Sequence, residues 1–157
     1  MELKEWTISY IKSRDAILKK IKQIVDKGSY LEVHSKDNVV KYHFIECLDT
    51  KIFSLDKGPV FIMTLNTESN LDFLTKSWDK LTSIKDLNII FVNLANNEKW
   101  IISPRLHSMI ADPESIARGL RTMFDTCNGK IIEMVKSKKK GSMFEEGSDG
   151  PDEEEET

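Results

Sequence analysis

The segment Asn93-Leu-Ala-Asn-Asn-Glu-Lys-Trp-Ile-Ile-Ser-Pro-Arg-Leu-His107 gathers amide, cationic, aromatic and imidazole side chains directly behind an apolar run. Ligand crevices in open α/β sheets lie off the carboxyl ends of strands. Asn93, Lys99, Arg105 and His107 are therefore candidates to line a binding site. A second cationic feature is the cluster Lys136, Lys138, Lys139 and Lys140, which together with lysines near the amino terminus could meet phosphate groups. His34 and His43 fall on neighbouring extended segments near Glu32 and Glu46, and could be cross-strand neighbours. A closed metal site takes about four ligands with supporting hydrogen bonds, so the two histidines read as ordinary strand residues and no metal site is expected. Cys47 and Cys127 both read as small core residues. There is no Cys-x-x-Cys, Gly-x-Ser-x-Gly, Walker-type loop or Gly-x-Gly-x-x-Gly, and the seven glycines are not clustered. Thiol-redox, α/β-hydrolase and phosphate-loop chemistries thus lose their usual signatures.

The elements that must position these side chains fit within 157 residues, a length that suits one domain. Hydrophobic residues at 39% and charged residues at 31% exclude collagenous, disulfide-scaffold and wholly disordered classes. No apolar run approaches the ~20 residues a bilayer span needs, and the start lacks the apolar stretch of a signal peptide. With only two cysteines, a reducing, cytoplasmic setting without a membrane partner is expected. The formal net charge of −3 conceals an uneven distribution. Eight acids and no base occupy 145–157, so the rest carries 23 bases against 18 acids, a formal +5. Four of those bases are the 136–140 lysines, which leaves residues 1–135 nearly neutral.

Apolar residues recurring at helical intervals predict one amphipathic helix over 2–27, closed by Gly28. Trp6 and Tyr10 lie in its apolar stripe, away from its lysines. Arg14 also falls inside that stripe, and is expected to be partly buried and paired with an acid, Glu32 or Glu46. Residues 29–35 and 39–46 alternate and read as a hairpin turning at 36–38, followed by an apolar strand at 60–65. A helix is predicted over 70–84, with Ser69 and Asp72 at capping-box spacing. A strand over 87–94 and a short strand over 99–102 follow. Ser103-Pro104 breaks the pattern, and Asp112-Pro113-Glu114 opens a last helix whose stripe is Ile116, Leu120, Met123, Phe124 and Cys127. The expected architecture is a single mixed α/β sheet in the order α-β-β-β-α-β-(β)-α over residues 1–135. A lysine-then-acidic tail without core-forming residues follows over 136–157.

Glu46, Asp49 and Lys51 close the second strand and enter the following loop, and Asp49-Thr50-Lys51 has the form acid-x-Lys. With the element order, this resembles the core of the restriction-endonuclease-like, or PD-(D/E)xK, nuclease superfamily over roughly residues 2–95. The resemblance implies that Glu46, Asp49 and Lys51 would bind a divalent metal such as magnesium and activate water. The family pattern places its acid-x-Lys triplet on the third strand, whereas Val60–Leu65 holds neither an acid nor a lysine. The expected function is therefore a non-catalytic binding or scaffold protein without a cofactor. It would be a nuclease-fold relative contacting a protein or nucleic-acid partner, with a metal-dependent nuclease as the alternative.

The charge distribution generates a test. Deleting residues 145–157 exposes the +5 remainder, and should raise affinity for DNA several-fold at low salt in an anisotropy titration. The gain should fade as salt rises, because counterion release drives such binding. Equal affinity with and without these residues would leave the tail as a solubility device or a protein-binding motif.

Overall fold

Val60–Leu65 and Leu87–Asn93 are apolar at both alternations, which demands cover on two faces, and both form central strands of one sheet. The computed structural model describes residues 1–55 and 57–129. The lysine cluster, the acidic tail and the expected boundary at 135 lie outside these residues. The element order is α1 (Leu3–Leu18), β1 (Ile21–Asp26), β2 (Tyr30–Ser35), β3 (Val39–Phe44), a 3-10 turn (Thr50–Ser54), β4 (Val60–Leu65), α2 (Glu68–Lys76), α3 (Trp78–Thr82), β5 (Leu87–Asn93), β6 (Glu98–Ile102), α4 (Pro104–Ile110) and α5 (Pro113–Cys127). The six strands lie side by side in sequence order. Pairing is antiparallel from β1 to β3, parallel from β3 to β5, and antiparallel between β5 and β6.

The two-residue period of the strands sorts side chains between two cores. Ile62, Ile89, Phe91 and Trp100 face α2, α3 and α5, where Leu74, Leu81 and Phe124 meet them. Met63, Ile90 and Val92 face the other way, against Leu3, Trp6 and Ile11 of α1. One helix thus covers one face while several cover the other.

The first helix is shorter than its periodicity predicts. It ends at Leu18, and residues 21–26 form the edge strand β1. Lys19 takes the left-handed conformation at φ 49°, and the Asp15 carboxylate accepts from the Lys20 and Ile21 backbone N–H groups at 2.7 and 3.2 Å. That side chain turns the chain back before the β-branched Ile21, Ile24 and Val25 enter the sheet. Ile17, assigned to the apolar stripe, is 91% exposed. Gly28 serves the β1–β2 turn at φ 93° instead of closing a helix.

The 70–84 helix is two helices that meet at Ser77, and the N-cap is Thr67, whose hydroxyl accepts from Asn70 N. The 103–110 segment, read as a break, is α4 with Pro104 in its first turn. The last helix begins at the Asp112 cap as expected, although Met123 is exposed. Cys127 is buried, and burial pushes its thiol up to about 11, while Cys47 is exposed, unlike the core residue expected. His34 and His43 are not opposite each other: they pair with Val39 and Tyr30 at the two ends of the hairpin. Among the described residues no helix is long and apolar enough to cross a membrane.

Asn70, 1% exposed, ties the irregular 45–49 segment to this frame. Its Oδ1 accepts from Leu48 N at 2.8 Å, and its Nδ2 donates to the carbonyls of Glu46 and Leu65, both at 2.8 Å. Removing the amide orphans buried backbone groups, which costs about 1–3 kcal/mol. Asn70→Ala should lower unfolding free energy by about that amount in urea titration. Asn70→Asp should be no better, because a carboxylate cannot donate to the two carbonyls. Unchanged urea midpoints would show that this segment is held by other contacts.

Candidate functional site

Asp49 and Lys51 are placed by local backbone needs. The Asp49 carboxylate accepts from Lys51 N at 2.8 Å and caps the 3-10 turn that follows. Glu46, Asp49 and Lys51 are all exposed, and the Glu46 carbonyl, not its carboxylate, makes the buried contacts. Among the described residues no group of three or more His, Cys, Asp or Glu side chains could hold a metal ion. The donor set that the nuclease resemblance implies for magnesium is not assembled there.

The four candidates from the 93–107 segment do not converge. Asn93 and Lys99 lie at the β5–β6 turn, whereas Arg105 and His107 lie past the far end of β6, about 13 Å away at ~3.3 Å per residue. Register also puts Asn93 and Lys99 on opposite faces. Asn93 Nδ2 donates to the Cys127 carbonyl and to Asn128 Oδ1, at 3.2 and 3.1 Å. Asn96 Nδ2 reaches the same Cys127 carbonyl at 2.9 Å, and Asn66 Nδ2 donates to the Phe124 carbonyl at 3.2 Å. These amides satisfy the carbonyls that the last turn of α5 leaves without partners. They also fill the space beyond β4 and β5 where a ligand crevice would open. His107 Nδ1 lies 3.0 Å from Ser103 N, at the start of α4.

A cavity of about 570 Å³ lies at the opposite, amino-terminal ends of β4 and β5. Ile52, Phe53, Leu55, Ile84 and Leu87 form its apolar wall, with Lys57 and Lys85 among its lining residues.

A different constellation forms on the α1 face. Trp6 and Tyr10, one turn apart, stack with centroids 5.2 Å apart and planes 12° from parallel. Trp6 is buried, and its Nε1 donates to Asn97 Oδ1 at 2.6 Å, fixing α1 to the β5–β6 turn. Tyr10 is half-buried. The Arg14 guanidinium and the Lys99 ammonium each lie 5.5 Å from the Tyr10 ring centroid, within the ~6 Å range of cation–π attraction. Arg14 Nη1 also donates to the Tyr10 hydroxyl at 3.3 Å. Arg14 is exposed, so the expected buried ion pair with Glu32 or Glu46 does not form; Glu32 instead meets His34 Nε2 at 3.2 Å. Arg14 continues the stripe of Leu3, Trp6, Thr7 and Ile11, but at the end of α1 that stripe borders open grooves.

Two concavities flank α1. One, about 360 Å³, is lined by Trp6, Ser9, Tyr10, Ser13, Asn97 and Lys99, with Met1 and Leu94 closing its apolar end. The other, about 200 Å³, includes Arg14, Leu18, Val40, Tyr42 and Phe61. Tyr42 and Phe61 stack at 4.9 Å, and burial pushes the Tyr42 phenol up while the Arg14 charge opposes that shift. The aromatic half of this constellation was visible in the sequence as a helical stripe. Its pairing with Lys99, 89 positions away, had no local signal. Family models, curated proteins and solved structures were all compared with the chain, and none matches.

The arrangement offers cations on an aromatic support and, among the described residues, no assembled carboxylate cluster. With excess magnesium or manganese, the protein should not cut single- or double-stranded DNA above background. Cleavage that disappears in Asp49→Ala would reinstate the nuclease alternative.

Proposed function

We propose that this protein is a non-catalytic binding module, and that its α1 face engages an anionic protein or nucleic-acid partner. One observation carries this reading. Arg14 and Lys99 converge on Tyr10, and among the described residues neither has a carboxylate within ion-pair distance. Two other cations are neutralised: Lys4 pairs with Asp26 at 2.5 Å, and Arg121 holds Glu68 at 2.9 Å and Asp125 at 3.2 Å. The use of Asn93, Asn96 and Asp49 as backbone caps supports the same reading, because it commits polar side chains that could otherwise have served chemistry.

The relation to the restriction-endonuclease-like core belongs to this proposal. In that view the helix, the antiparallel strands and the parallel strands crossed by helices are a nuclease-type frame. It would have kept its sheet and turned its acid-x-Lys triplet into a turn cap.

Inorganic polyphosphate tests the anionic-partner reading without presupposing a partner. Adding it to the isotope-labelled full chain should shift the amide signals of Tyr10, Arg14 and Lys99 and the Trp6 indole N–H signal. The double variant Arg14→Gln, Lys99→Gln should lose these shifts and weaken binding at least several-fold. Shifts centred on Arg105 and His107, or spread without a locus, would overturn the assignment to the α1 face.

A further inference from the structure

We infer that the groove between α1 and β6 binds single-stranded nucleic acid, with a base against the Tyr10–Arg14 pair and a phosphate on Lys99. This rests on the anionic-partner reading and narrows it to one polymer. Proteins that hold single strands combine aromatic rings on which bases stack with cations that follow the backbone. Both parts are present here. Tyr10 is half-buried, so part of its ring remains reachable, and Trp6 holds it in plane from below. Arg14 adds a planar cation, a surface on which bases also stack. The 360 Å³ groove places the Ser9 and Ser13 hydroxyls and the Asn97 amide beside Lys99, as donors suited to phosphate or to base edges. Its volume falls at the lower end of the ~300–1,000 Å³ that small organic ligands occupy, which admits a nucleotide unit.

Residues 10–22 hold Lys12, Arg14, Lys19, Lys20 and Lys22 against the one acid Asp15. The Asp15 carboxylate is already bound to backbone N–H groups of Lys20 and Ile21. Lys12 and Lys19 line a separate concavity with Asp15, Ile21 and Ile24, so Arg14 and Lys99 are the cations placed at the Tyr10 ring itself. A duplex is disfavoured because its bases are stacked inside and cannot reach Tyr10, leaving only the electrostatic part of the attraction.

Fluorescence anisotropy with the full chain distinguishes the possibilities, using a labelled 12-nucleotide oligouridine, a duplex of equal length and inorganic polyphosphate. The single strand should bind at least about tenfold more tightly than either competitor. Tyr10→Ala should lower single-strand affinity at least about tenfold more than polyphosphate affinity, which falls only through the looser Arg14 and Lys99, and Tyr10→Phe should preserve both. Arg14→Gln and Lys99→Gln should each weaken the dependence of affinity on salt by about 0.7 in the log–log slope. Thermal melting of each variant checks that the fold is intact. Should Tyr10→Ala melt early, Tyr10→Phe and Lys99→Glu carry the test, the latter abolishing single-strand binding in a folded protein. Equal affinity for strand, duplex and polyphosphate would overturn the single-strand inference and leave the anionic-partner reading standing. Binding of none of the three would overturn both.

Discussion

Two parallel strands at the centre of the sheet, β4 and β5, set the terms for everything around them. Both faces of such strands must be kept from water, and their residues comply: Ile62, Met63, Ile89, Ile90 and Phe91 are fully buried. The chain meets this demand unequally. Helices α2, α3 and α5 pack on one face, where Leu74 and Leu81 are fully buried. The other face has α1 alone. A helix is about 10 Å wide with its side chains, whereas six strands ~4.8 Å apart span well over 20 Å. A single helix laid on that surface leaves flanks on both sides. The grooves beside Tyr10 and Arg14 are those flanks, so the candidate site follows from how the sheet is covered.

On the more heavily covered face, polar side chains do a different kind of work. Helix α5 ends against β4 and β5, and its last carbonyls would be orphaned in a partly buried setting. Asn66, Asn93 and Asn96 supply amide donors to Phe124 and Cys127, and Asn128 joins two of them through its Oδ1. Trp100 Nε1 then donates to Asn66 Oδ1 at 2.7 Å, linking this network to the stacked Phe91–Trp100 pair in the core. Each such bond is worth only about 1 kcal/mol net, but leaving a buried partner unmet costs more. Residues of catalytic type can therefore be fully occupied by structure, which is the fate of Asn93 and Asp49.

What the sequence made legible follows the same division. Strands β2 to β6 were recoverable because apolar alternation and turn residues are local signals. The Asp112 cap of α5 was equally plain, and its carboxyl is held below the usual range by the Ser115 N–H. The first 27 residues misled because Ile17, Ile21 and Ile24 suit helical spacing, while Ile21, Ile24 and Val25 suit a strand equally well. The deciding bond, from the Asp15 carboxylate to Lys20 and Ile21, competes with a helix in a way that periodicity does not register. The site was less legible still. Placing Lys99 over Tyr10 requires knowing that β6 pairs antiparallel with β5 and that odd positions of β6 face α1. Arg14 does lie in line with the apolar stripe, but its partner is the Tyr10 ring and hydroxyl, and stripe position alone does not distinguish a ring from a carboxylate.

That substitution of an aromatic ring for a carboxylate matters beyond bookkeeping of contacts. A salt bridge neutralises its cation, so an arginine paired as Arg121 is with Glu68 and Asp125 has little field left for a ligand. A ring attracts a cation through its quadrupole and leaves the net charge intact. Arg14 and Lys99, ordered by Tyr10 instead of by an acid, are held in place while both charges remain available to an incoming anion. Such ordering also reduces the side-chain entropy lost on binding, a cost of roughly 0.5–1.5 kcal/mol for each flexible side chain immobilised. In a body with almost no net charge over residues 1–135, long-range attraction is weak. Local arrangement must then supply what net charge does not, and the Trp6–Tyr10–Arg14 ladder with Lys99 sets two unpaired cations on one aromatic support, where Lys80 over Phe53 sets one.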